Sequence, residues 1–161
     1  PPFEPVQLSY NVLLNLAGVC NTEDKAVLWH FISRYSLQAK PESAPILDKL
    51  VDCAIRYYRD FVKPNKRFRR PNAMETKALE ELAAALSGLP AEPSAEDIQT
   101  QVYEVGKRHP FPDLRAWFQS LYEILLGQTQ GPRMGTFFAV YGLKESIVLI
   151  RRALAGEDMA A

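Results

Sequence analysis

The period of the apolar residues constrains this chain more than any other feature. Across the 161 residues they recur three or four positions apart, and no segment alternates convincingly with the period of two that a half-buried strand needs. The expected fold is therefore all-α, a multi-helix cage or bundle of about eight helices. A first helix begins at Ser9 and buries Val12, Leu13 and Leu16 before ending near Cys20. Asn21 reads as the N-cap of a second helix, with Asp24 at the capping-box position and Val27, Leu28, Phe31, Ile32 and Tyr35 on the buried stripe. A third runs from about Ile46 through Leu50, Val51, Ala54, Ile55, Tyr58 and Phe61 until Pro64 stops it.

Asn72, with Glu75 three residues on, caps a fourth helix that buries Leu79, Leu82 and Leu86 and closes at Gly88 and Pro90. Ser94 with Asp97 starts a fifth, carrying Ile98, Val102 and Val105. A sixth sets Leu114, Trp117, Phe118, Leu121, Tyr122 and Leu125 on one side and ends at Gly127. A short helix with Phe137, Phe138 and Val140 ends at Gly142, and a last one spans about Lys144 to Leu154. The whole, residues 1–161, reads as one helical domain, with two sublobes at about 1–90 and 91–155 and a frayed tail at 156–161.

A hydrophobic share of 47% is enough for a core, yet the longest apolar runs fall far short of the roughly 18–20 residues a membrane span requires. No membrane partner is expected, and a cytoplasmic location fits. The opening Pro1-Pro2-Phe3 lacks the order of a secretory signal and reads as an excised fragment or processed product. Cys20 and Cys53 have no CxxC or Cys/His spacing around them and read as buried, reduced thiols. Phosphate loops of the GxGxxG or GxxxxGK[ST] type, GxSxG and HExxH are all missing, so no catalytic residue and no metal ligand is assigned. His30 and His109 lack a partner at helical metal spacing and read as structural or surface residues. Tyr57, Tyr58, Trp117, Phe118 and Tyr122 could stack on bases, although aromatics at helical spacing also suit a core.

The 19 basic and 19 acidic residues cancel overall, but not locally. Residues 55–70 hold seven basic side chains against Asp60 alone, and residues 71–106 hold seven acidic ones against Lys77. Two segments stand out. In 63–71, Lys63, Lys66, Arg67, Arg69 and Arg70 surround Phe68 in a proline-bounded turn, a composition suited to phosphate contacts along RNA. The same charges would also suit a helix C-terminus facing the acidic fourth helix. In 127–137, three glycines, Pro132 and Arg133 lead into a helix, placing backbone N–H groups and a guanidinium where a phosphate or base edge could sit. A plain interhelix turn would use the same residues.

The run Leu125-Leu126-Gly127, then Gly131-Pro132-Arg133-Met134-Gly135, then Tyr141-Gly142 and Ile147 to Leu154, resembles the end of class I lysyl-tRNA synthetases. Ser9 to Asp24, Ile55 to Lys63 and Ile98 to Lys107 are similar to the C-terminal half of that family, so the resemblance covers nearly the whole chain. Glutamyl-tRNA synthetases end in a similar Gly-Pro turn, and the upstream segments separate the two. The resemblance implies a helical-cage domain that binds the anticodon of lysine tRNA, partnered by a separate N-terminal catalytic domain that attaches lysine using ATP. The HIGH-like and KMSKS-like motifs of that domain are absent here, so this chain is expected to be inactive alone and to hold no cofactor. Carried over by resemblance, Gly131, Pro132, Arg133 and Met134 form the anticodon-contacting surface, with Thr136 and Phe137 beside them. The alternatives are the equivalent glutamyl-tRNA synthetase domain and a helical protein-interaction module that docks through the acidic helix and basic turn.

Overall fold

A computed structural model describes residues 8–160. Pro1-Pro2-Phe3 and Ala161, the last residue of the expected tail, lie outside the described residues. Among those described there are eight α-helices and no strand. They are α1 (Tyr10–Cys20), α2 (Lys25–Tyr35), α3 (Pro45–Tyr57), α4 (Ala73–Ser87), α5 (Ala95–Lys107), α6 (Leu114–Leu121), α7 (Met134–Tyr141) and α8 (Leu143–Leu154). Helix α3 runs on into a π-helical turn, Tyr58–Val62, and a 3-10 turn, Lys63–Asn65. Helix α6 runs on into a second π-helical turn, Tyr122–Leu126.

Two compact units divide after Asn65, inside the basic segment. The stretch near residue 90 joins α4 to α5, which pack on each other. In the first unit α1 packs on α3, with Val12, Leu13, Leu16, Leu28, Ile32, Val51 and Tyr58 in its core. In the second, α5 packs on α7 and α4 on α8, around Leu79, Leu82, Val102, Trp117, Phe137, Phe138 and Ile150.

Local chemistry explains where the helices start and stop. Asn72–Glu75 and Ser94–Asp97 both form reciprocal capping boxes. Asn21, in contrast, does not begin α2. It sits left-handed at φ 47° and ends α1, its N–H donating to the carbonyls of Ala17 and Gly18. Asparagine tolerates that conformation, and Tyr58 holds the side chain by donating to Oδ1 at 2.9 Å. The N-cap of α2 is Asp24, which accepts from the Ala26 N–H. On α2 the buried stripe narrows to Leu28, Trp29 and Ile32, and Tyr35 is exposed.

Helix α3 starts one residue early, with Pro45 in its first turn, and leaves Ile46 exposed. Phe61, expected in the core, is 59% exposed, while Val62 is buried. The π-helical turn is the cause. Its hydrogen bond, from the Lys63 N–H to the Tyr58 carbonyl, spans five residues instead of four. Each residue therefore advances less around the axis, so Val62 completes the buried stripe and Phe61 swings off it. The thiols also depart from expectation: Cys53 is exposed, and Cys20 is half-buried with its thiol pushed up to about 11 by burial. No helix among the described residues is long and apolar enough to cross a membrane.

Candidate nucleic-acid interface

The second unit carries a cleft of about 800 Å³. Its walls follow from helical register. Trp117 and Phe118 are consecutive on α6, so one turns inward and the other turns away. Trp117 is fully buried and donates its indole N–H to the Val102 carbonyl at 2.9 Å, whereas Phe118 is half-buried and lines the cleft. Tyr103 of α5 meets Phe118 edge-on, ring centres 5.3 Å apart. Tyr122 adds a third ring, and Arg115, Gln119 and Gln99 supply polar groups between them.

The 127–133 turn forms another part of the rim. Tyr122 Oη donates to the Pro132 carbonyl at 3.0 Å, and its ring lies so close to Gly131 that an added Cβ would stand 2.5 Å from Cδ1. Only glycine fits there, and the turn is pinned to the aromatic wall. Gly135 is equally confined, since a Cβ would run into the Ala95 carbonyl oxygen. Its N–H donates to Gln99 Oε1 at 2.6 Å. This N–H, one of those expected to face a phosphate, is thus spent inside the fold.

The residues picked from the sequence separate accordingly. Gly131, Arg133 and Met134 do line the cleft, but Met134 is fully buried, a floor residue. Pro132 is buried and contributes its carbonyl to Tyr122. Arg133 is exposed, with one guanidinium nitrogen 2.9 Å from the Glu96 carboxylate and another 3.4 Å from Thr136 Oγ1. Glu96 is 78% exposed, so this surface pair is weak and competes poorly with a ligand. Phe137 is not a contact residue. It is fully buried, stacked on Tyr141 and tilted against Phe138, because α7 is covered on more than one side.

The basic segment needs a larger correction. Arg69 is not available to a phosphate backbone. Its guanidinium binds Glu75 through two hydrogen bonds, at 2.8 and 2.7 Å, and Glu123 at 2.6 Å. Glu75 also accepts from Ser120 Oγ at 2.6 Å and the Asn72 N–H at 2.9 Å. These donors, Arg69 foremost, hold the nearly buried Glu75 carboxyl at about 2, against an ordinary value of 4.5. Glu123 accepts in turn from Gln119 at 2.8 Å, so the network reaches the cleft wall. Around it, the Arg67 N–H donates to the Gly127 carbonyl at 2.8 Å, Lys66 lies over the Phe68 ring, and Arg70 reaches the Gly156 carbonyl at 3.4 Å. Lys63 belongs to the first unit, 3.9 Å from Glu23. Tyr103, Arg115, Gln119 and Gln99 were missed, since single residues scattered over two helices leave no run in the sequence.

The class of molecule is thus a helical, two-unit chain with an aromatic and arginine-lined cleft closed on one side by a Gly-Pro-Arg turn. Its similarity to known proteins is specific. Proteins named "Lysine--tRNA ligase" from Rickettsia bellii and Roseobacter denitrificans are each 46% identical to it, over 96% and 97% of this chain. A third, from Rickettsia felis, is 43% identical over 96%. The chain spans only about 30% of the length of these curated relatives. No known family profile matches, and neither does any solved structure.

Proposed function

We propose that this chain is the anticodon-binding domain of a class I lysine--tRNA ligase, acting in the cytoplasm beside a separate catalytic domain that uses ATP. The observation that carries the reading is the cleft: three aromatic rings, Arg115 and amide side chains together with the Gly131–Arg133 turn and its arginine, within a chain similar to proteins of that name. Unstacked anticodon bases are recognised by aromatic stacking and edge hydrogen bonds, with cations holding the backbone phosphates. Tyr103, Phe118 and Tyr122 supply stacking faces. Arg133 reads a base edge after exchanging its weak pair with Glu96, with Thr136 beside it. Lys66, Arg67 and Arg70 are the phosphate contacts, with Lys63 on the first unit.

Filter binding with lysine tRNA and an anticodon-substituted version tests this. The parent chain should prefer the cognate tRNA, and binding should weaken steeply with salt. Arg133→Ala should cost about 1–3 kcal/mol against the cognate anticodon and much less against the substituted one. Equal binding of both tRNAs by the parent chain, or an unchanged ratio in the variant, refutes the assignment. The chain alone should show no lysine-dependent ATP–pyrophosphate exchange.

A further inference from the structure

The first unit carries a different feature that the cleft does not explain. Three large aromatic side chains are exposed side by side on it: Tyr10 at 36%, Tyr57 at 46% and Phe61 at 59%. Tyr57 lies edge-on to Tyr10 at 6.3 Å and tilted against Phe61 at 5.1 Å. Together with Cys53, Arg56 and Asp60 these rings line a groove of about 330 Å³. Phe61 reaches it only because the π-helical turn rotates it off the buried stripe, and such turns are enriched at functional sites. The Tyr10 hydroxyl donates to the Cys53 carbonyl at 3.1 Å, so one wall is fixed.

Charge decides the kind of occupant. Arg56 borders the rings directly, and Arg59 and Lys63 follow on the same stretch. Asp60, the one acid among the described residues that line it, is bound through both carboxylate oxygens by Arg59, at 2.8 and 3.3 Å, so these two charges offset each other and Arg56 is the cation beside the rings. Exposed rings interleaved with arginines match the chemistry by which proteins hold single-stranded nucleic acid: bases stack on the rings while cations follow the phosphates. A protein partner would need an acidic, aromatic-accepting face.

We infer that the Tyr10–Tyr57–Phe61 groove is a second RNA-contact site, stacking one unpaired base with its phosphate on Arg56. It lies wholly within the first unit and stands or falls separately from the Arg133 reading. Cys53 provides the probe. Its thiol is exposed in the groove, whereas Cys20 is half-buried with a raised pKa and serves as an internal reference. The intact chain is treated with iodoacetamide, with and without a single-stranded RNA of about ten nucleotides, and alkylation at each cysteine is followed by mass spectrometry. RNA should slow labelling of Cys53 and leave Cys20 unaffected. Phe61→Leu with Tyr57→Leu keeps the apolar surface but removes the π faces. It should weaken the RNA affinity read from this protection by roughly tenfold or more. Unchanged Cys53 labelling at saturating RNA, or protection that survives the double leucine variant, overturns the proposal. If cognate discrimination fails while Cys53 is still protected, only the cleft reading falls.

Discussion

Replacing Arg69 by alanine removes the leading partner of Glu75, and the size of the loss can be worked from the carboxyl. Glu75 is 5% exposed, and its folded environment lowers the pKa from 4.5 to about 2. At about 1.36 kcal/mol per unit, that environment favours the charged form by roughly 3 kcal/mol. Arg69 supplies the largest share, ahead of the Asn72 N–H and Ser120. Because the arginine is itself 39% exposed, water recovers part of what it gave. Arg69→Ala should therefore destabilise the second unit by about 2 kcal/mol at neutral pH. A depressed carboxyl pKa contributes stability that is fully present above the unfolded value and lost as pH falls through the folded one. The gap between parent and variant should thus shrink from about pH 4.5 down to about 2. Urea unfolding followed by Trp117 fluorescence in a Trp29→Phe background makes the second unit report alone, since these are the two tryptophans. A gap below about 0.5 kcal/mol at neutral pH, the range of an ordinary surface substitution, would refute the reasoning. So would a gap that stays constant into acid.

Two further changes test how the cleft is held. Gly131→Ala drives a methyl group into the Tyr122 ring and should cost about 1–3 kcal/mol, with loss of cognate tRNA preference because the turn must shift; equal stability and preference in urea titration and filter binding would contradict the packing. Gln99→Leu leaves the Gly135 N–H buried without its acceptor and should cost about 1–3 kcal/mol, with faster hydrogen exchange at that amide; unchanged exchange would show that another group satisfies it.

What could be read in advance was what depends on near neighbours. The boxes at Asn72–Glu75 and Ser94–Asp97 join residues three apart, so the sequence shows both partners at once. The stop at Gly127 and the turn at Gly142 were visible for the same reason. Misreadings arose where a distant element set the outcome. Phe61 and Val62 compete for one position on the stripe, and the π-helical turn that decides between them leaves no mark in the apolar period. Phe137 and Phe138 cannot both lie on one narrow face, so their adjacency signals a helix buried on several sides, not a stacking residue beside a core residue.

Arg69 shows the general difficulty with charge. Counted along the chain it is one of seven cations in residues 55–70, and one of the five, Lys63, Lys66, Arg67, Arg69 and Arg70, read as candidates for phosphate. Its real partners are Glu75, six residues on, and Glu123, fifty-four residues on, and Glu75 is itself fixed by Ser120 from α6. A cation surplus in sequence measures what a surface can offer only after such buried acceptors have taken their share. Removing Arg69 from the RNA-facing set gives it a different task, because Glu123 passes its hold to Gln119 on the cleft wall. The segment richest in positive charge therefore contributes to the cleft from within the fold, where Arg69 sets the position of a wall side chain through Glu123.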